Sequence, residues 1–264
     1  MIPIGDRLRT REFPFVNIAL IIVNVLVFLY EAFALDDTVR RVVTPSGFFF
    51  TSDLNDFFMD WGATPACVRD SLGMNPNVAP QAIQAFCPEG AAGLATPFTA
   101  MFIHGGWFHL IGNMLFLWVF GDNVEDRLGH LSYLLFYVAG GLAAAAAQIF
   151  MNPNDLIPAV GASGAIAAVL GAYLVMFPRA NVLVLFPFLI FWATYVPASF
   201  LIIVWFFMQV FSGVAAIGDV TGGSGGVAWW AHIGGFVFGL VVVWLIRPRR
   251  RPPIYRPPTW ERRH

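Results

Sequence analysis

Residues 160–177 read VGASGAIAAVLGAYLVMF, an uncharged run in which one serine stands near the start among glycine and alanine. Covering a bilayer core of about 30 Å in helix takes about 20 mainly apolar residues. This run approaches that length, and Pro178-Arg179 ends it. Working outward, similar runs lie at about 131–151 and 99–120 before it, with a first at 15–33 behind Arg7, Arg9 and Arg11. After it, residues 181–208 are apolar almost throughout, too long for one span and interrupted by Pro187 and Pro197. Proline removes a backbone donor and clashes with the preceding turn. The part before Pro197 therefore reads as an apolar interfacial loop, and the fifth span as 198–214. A sixth runs from about 226 to 246 and stops at Arg247-Pro248. The expected fold is an all-α membrane protein, a bundle of six transmembrane helices.

Composition agrees along the whole chain. Of 264 residues 58% are hydrophobic and 12% charged, and mean hydropathy is +0.70. Soluble domains carry about 25% charged residues, so one anchored soluble domain is excluded. Twenty-seven Phe and nine Trp suit lipid-facing and interfacial surfaces. All fifteen basic residues are Arg, which points to a GC-rich bacterial source and hence a cell (inner) membrane. The only basic cluster is a short tail, so no nucleic-acid partner is expected.

The arginines set the orientation, because positive residues collect on the cytoplasmic side. Six spans put both termini together with Arg127 and Arg179. Only Arg40, Arg41 and Arg69 are left opposite, all in a long first loop at about 34–97. The expected organisation is a cytoplasmic segment 1–14, a six-span domain 15–246 with that loop external, and a cytoplasmic tail 247–264. The tail is rich in Arg and Pro and reads as disordered or polyproline-like, near anionic lipid headgroups. Basic residues, an apolar run and Ala32-Phe33-Ala34 also fit a cleavable signal peptide, but the run exceeds the usual 7–15 residues of such a region. In the loop, Phe48-Phe49-Phe50 and Phe57-Phe58-Met59 with Trp61 read either as interfacial helices or as packing against the bundle. Cys67 and Cys87 form a disulfide or remain two thiols.

Polar groups at membrane depth are costly and are functional candidates by default. Ser163 opens the fourth span within Gly161-Ala162-Ser163-Gly164, where unpaired helix N–H groups can face an oxyanion. The bland reading is a serine bonded back to its own helix. His232 lies in the sixth span before Gly235 and Gly239, a small-xxx-small pair that admits a close helix. The stripe Gly164, Ala168, Gly171 on the fourth span could meet it and bring Ser163 to His232 as general base. Neither span holds Asp or Glu, so the expectation is a Ser–His dyad. In the second span His109 and Asn113, four apart, share a helix face and can both donate hydrogen bonds. His104 and His109 lack the His-Glu-x-x-His spacing of a zinc site. No carboxylate is expected in a partner span, so no metal or other cofactor is expected. For the same reason, with no internal repeat, a transporter is disfavoured.

These residues resemble the rhomboid family of intramembrane serine proteases. The resemblance covers about 15–246 and rests on His104…His109-Leu110…Asn113-Met114, Gly161-Ala162-Ser163-Gly164 and Ala231-His232…Gly235…Gly239, in family order. It implies Ser163 as nucleophile and His232 as general base. It implies an oxyanion site from His109, Asn113 and the Ser163 N–H, with Gly161 admitting substrate and His104 in support. Segment 121–129 resembles a cytoplasmic loop of the family, read as structural. Two positions depart from the pattern. Ala167 stands where many members place an aromatic on the catalytic histidine, and the first loop lacks the Trp-Arg pair of some members. The resemblance implies transmembrane protein substrates; the expected gate is the fifth span with the loop 213–226, whose Gly222-Gly223-Ser224-Gly225-Gly226 can move readily. A non-proteolytic, client-binding relative is the alternative. Natural substrate and oligomeric state stay open.

Overall fold

The computed structural model describes residues 1–44, 47–74, 76–87, 92–186, 192–217, 227–246 and 254–255. The chain opens with short strands β1 (Ile2–Asp6) and β2 (Leu8–Arg9), then helix α1 (Phe15–Ala34). The first loop holds a hairpin, β3 (Arg40–Thr44) and β4 (Gly47–Thr51), and helices α2 (Asp53–Trp61), α3 (Pro65–Ser71), α4 (Pro80–Phe86) and α5 (Ala92–Thr99). Then come α6 (Trp107–Phe116), a π-helical turn (Leu117–Gly121), α7 (Asp122–Leu128), α8 (His130–Met151) and α9 (Ser163–Met176). Strands β5 (Asn181–Phe186) and β6 (Trp192–Pro197) precede α10 (Ala198–Ile217), α11 (Trp229–Ile246) and β7 (Ile254–Tyr255).

The centre of the molecule is α9. Every residue from Gly164 to Tyr173 is buried, as expected of a helix that is apolar all round. Its neighbours α8 and α11 approach through residues without side-chain bulk. A Cβ on Gly235 would collide with the Gly164 carbonyl, and one on Gly239 with the Ala168 carbonyl. On the other flank, a Cβ on Gly140 would lie 2.5 Å from that of Ala168. The small stripes read from the sequence therefore do face each other, and dispersion between close backbones replaces side-chain interdigitation.

Among the described residues four helices are long and apolar enough to cross a membrane: α1, α8, α10 and α11. A fifth span results if the bent pair Gly93–Phe102 and Trp107–Leu128 counts as one. The fourth expected span is helical for only 14 residues, about 21 Å at 1.5 Å per residue. The expectation of an unbroken second span over 99–120 is corrected. The chain turns by 77° between Phe102 and Trp107. Gly106 sits there at φ +152°, a conformation open to glycine and strained for other residues. The turn separates His104 from the helix that carries His109 and Asn113.

The described part of the apolar segment before Pro197 is a pair of strands, which corrects its reading as a loop. Strands β5 and β6 pair antiparallel, and β1 adds to β5, with Ile2 opposite Leu185 and Asp6 opposite Val182. Val182 and Val184 are buried at period two, the strand alternation. Pro187 falls outside the described residues. Of the tail, Ile254–Tyr255 pairs with Leu8–Arg9, so that part is a strand and not a disordered or polyproline segment; the rest of 247–264 lies outside the described residues.

In the first loop, Phe48–Phe50 belong to strand β4, which corrects the interfacial-helix reading for that run, whereas Phe57–Trp61 are helical in α2. Cys67 and Cys87 form a disulfide. The loop is fastened to the approach to α9. Ala63 and Ala159 exchange both backbone hydrogen bonds at 3.0 Å, and Ala66 N–H donates to Asp155 O at 3.0 Å. At the other end of the bundle, buried Glu125 accepts the N–H groups of Val16 (3.0 Å) and Asn17 (2.7 Å). It satisfies donors that the first turn of α1 cannot pair internally. Charges in 121–129 thus bridge helix ends.

Candidate active site

Ser163 is the first residue of α9, and His232 lies one turn into α11. Their side chains meet across the glycine-lined contact, with Ser163 Oγ 2.7 Å from His232 Nε2. The other ring nitrogen, Nδ1, lies 2.7 Å from Oε1 of Gln209 on α10. Trp205, one turn earlier on α10, packs over the imidazole with ring centroids 5.9 Å apart, and Trp229 meets it edge-on at 6.3 Å. The aromatic packing absent at Ala167, itself fully buried, is supplied from α10 and α11.

His109 and Asn113 line the same cavity as Ser163 and His232, a space of about 470 Å³ between α6, α9 and α10. The N–H of Gly105 donates to His109 Nδ1 at 3.3 Å. Nδ1 is then the acceptor and Nε2 carries the proton. That Nε2–H is turned to Gly161, where a Cβ would stand 2.8 Å from Nε2 and 3.6 Å from Ser163 Oγ. Gly161 adopts φ +123°, so glycine is required there both by backbone and by the imidazole it accommodates. Asn113 is 8% exposed and its Nδ2 has no hydrogen-bond partner among the described residues. Two donors thus line the cavity that also holds Ser163.

His104 is buried before the bend, edge-on to His109 at 5.1 Å, with neither ring nitrogen partnered among the described residues. Its backbone N–H donates to the Glu31 carboxylate at 3.2 Å. Glu31 is buried on α1. The expectation that no carboxylate lies in a partner span is therefore corrected: Glu31 falls inside the first apolar run and anchors the turn that presents His109. Among the described residues no group of three or more His, Cys, Asp or Glu could hold a metal ion. Gly164, Gly235 and Gly239 act as the spacers of the α9–α11 contact. Residues 218–226 of the expected gate lie outside the described residues.

Sequence reasoning missed Gln209, Trp205, Trp229 and Glu31. Gln209 and Glu31 carried a usable signal, the first being the one amide of the run 198–214 and the second the one carboxylate of the run 15–33. The arrangement can do nucleophilic chemistry: a hydroxyl on an imidazole, donors beside it, and apolar surroundings that strengthen both.

A family model described as the Rhomboid domain matches residues 92–249, more than half of the chain. Rhomboid protein 1, mitochondrial, of Saccharomyces cerevisiae is 31% identical over 157 residues, 55% of this chain and 40% of that protein. Putative rhomboid protease YdcA of Bacillus subtilis is 34% identical over 86 residues, 33% of this chain and 43% of that protein. Rhomboid protease GluP, also of Bacillus subtilis, is 41% identical over 76 residues, 29% of this chain and 14% of that protein. The chain spans less than half the length of these curated relatives.

Proposed function

The chain belongs to the rhomboid family, and we propose that it is an intramembrane serine endopeptidase that cleaves transmembrane segments of membrane proteins. The observation that carries this reading is the 2.7 Å contact between Ser163 Oγ and His232 Nε2 on two helices of an apolar bundle. In the proposed reaction the substrate helix unwinds near its outer end and lays an extended backbone in the cavity beside Ser163. Nε2 of His232 takes the hydroxyl proton as Oγ attacks the scissile carbonyl carbon. The tetrahedral oxyanion receives hydrogen bonds from His109 Nε2–H, Asn113 Nδ2 and the Ser163 N–H. Collapse expels the new amino terminus, protonated by His232, and leaves an acyl-enzyme. Water, deprotonated by the same nitrogen, then releases the acyl group and regenerates Ser163.

The same reading places six spans over 15–246, with α9 as the fourth and both termini cytoplasmic in a bacterial cell membrane. It is supported by the arginine distribution and by a disulfide in the loop assigned to the outside, since disulfides persist in oxidising compartments. Partners are transmembrane substrates and the surrounding lipid.

The test is cleavage of a single-span reporter in liposomes by the purified protein. Serine-dependent cleavage that resists chelators is the expected result. Equal cleavage by Ser163→Ala would point to a contaminant and sink the proposal; binding of reporters without cleavage would favour a client-binding relative. Asn113→Ala and His109→Ala are each expected to lower kcat by about 10²–10³ with KM little changed, the usual loss for one oxyanion donor. A fall confined to KM would instead make them substrate-binding groups.

A further inference from the structure

The structure carries a third member of the catalytic unit on a third helix. We propose that Gln209 is a positioning residue, whose side-chain carbonyl holds His232 in the one tautomer able to deprotonate Ser163. This inference rests on the proposed function.

Neutral imidazole has one N–H and one lone pair, and which nitrogen carries the proton follows from the hydrogen bond that the other makes. An amide oxygen only accepts. With Oε1 of Gln209 2.7 Å from Nδ1, the proton resides on Nδ1, and the Nε2 lone pair faces the Ser163 hydroxyl. In the opposite tautomer Nε2–H would donate to Oγ, and the serine would have no base. Gln209 is 6% exposed, within a helix that is otherwise apolar around it, Trp205-Phe-Phe-Met208 before and Val210-Phe211 after. Burying an amide in such a helix is costly unless it is hydrogen-bonded, and the imidazole supplies that partner. A glutamine also differs from the carboxylate of a soluble triad. It fixes the tautomer without burying a charge beside the base.

The consequence concerns α10. Nucleophile and base are on α9 and α11, which are locked together by backbone-to-backbone glycine contacts. The group that orients the base comes from α10, which also brings Trp205 over the ring. Base competence therefore depends on α10 being docked. A displacement of α10 that lengthens the amide–imidazole contact releases the tautomer even with Ser163 and His232 in place.

The experiment uses the full chain in detergent micelles and in liposomes. Gln209→Met keeps the length and bulk of the side chain and removes the acceptor; Gln209→Glu restores an acceptor. Nitrogen NMR of [¹⁵N]histidine-labelled protein, with His232→Ala identifying the resonances, reads the tautomer directly and needs no substrate. The wild type is expected in the Nδ1–H form, Gln209→Met in a mixture or the Nε2–H form, and Gln209→Glu back in the Nδ1–H form. Reporter cleavage by Gln209→Met is expected to fall about 10–100-fold in kcat with KM unchanged, part of the loss that follows a wrong tautomer. An unchanged tautomer in Gln209→Met overturns the positioning role, whether or not the reporter is cleaved. Full kcat in Gln209→Met, beside a wild type whose cleavage needs Ser163 and His232, overturns it while leaving the protease reading intact. A wild type that holds the Nδ1–H form but cleaves nothing supports the Gln209 contact and counts against the protease reading alone.

Discussion

Ser163→Ala and His232→Ala are each expected to lower kcat for a reporter by on the order of 10⁴-fold or more, and the double variant is expected to lose no further activity. The reason is that the two groups act once, as a unit. Without the imidazole the hydroxyl stays protonated and is a weak nucleophile; without the hydroxyl the imidazole has nothing to activate. Losses in such units are far from additive. The 2.7 Å contact between them makes the coupling direct. Any residual activity would come from the donors that remain, His109 and Asn113. The measurement is single-turnover cleavage in liposomes for the four proteins of the cycle, with reporter affinity measured separately. Affinity should hold in all four, because neither group is needed to seat an extended backbone. Two large losses that multiply in the double variant would show two independent roles and break the dyad assignment.

How far the sequence discloses this site depends on what kind of signal each part leaves. The apolar runs ending in α1, α8, α10 and α11 are countable against the bilayer thickness, so those helices are legible almost residue by residue. The motif residues are legible because each is a polar group in an apolar run and the three motifs, taken together and in order, resemble one family. The β5–β6 hairpin is not, because a short apolar run reads alike as strand or buried helix, and its partner β1 lies some 180 residues away. Nor is the bend before Trp107 apparent when hydropathy is averaged over the length of a span, although Gly105-Gly106 marks the position. Glu31 and Gln209 show a different failure. Each is a polar residue in a mainly apolar run, the one carboxylate of 15–33 and the one amide of 198–214, tolerated by a count of spans and adjacent in sequence to none of the motifs. Only the packing of α1 on the bend, and of α10 on α11, reveals what they face.

Gly239→Val is expected to be the most damaging change outside the reacting groups. At this position α11 meets the Ala168 carbonyl of α9, so an added Cβ strikes backbone and not the flexible end of a side chain. Overpacking that side chains can absorb costs about 1–3 kcal/mol. Here the whole of α11 must move, and a loss above about 4 kcal/mol, the exceptional class for single changes, is expected. His232 lies two turns up the same helix, so that movement is delivered to the Ser163–His232 contact. A shift of about 1 Å there costs on the order of 10²-fold in rate. The expected result is a large fall in the unfolding midpoint in detergent together with at least that loss of kcat. Gly5→Ala, where a Cβ meets nothing within 4 Å, should leave both unchanged. If Gly239→Val keeps the wild-type midpoint and rate, α9 and α11 are not held at backbone contact, and the registry of serine and histidine must come from elsewhere. A lowered midpoint with normal kcat per folded molecule would separate the two functions of the glycine, leaving it a stability residue whose helix can shift without moving the base.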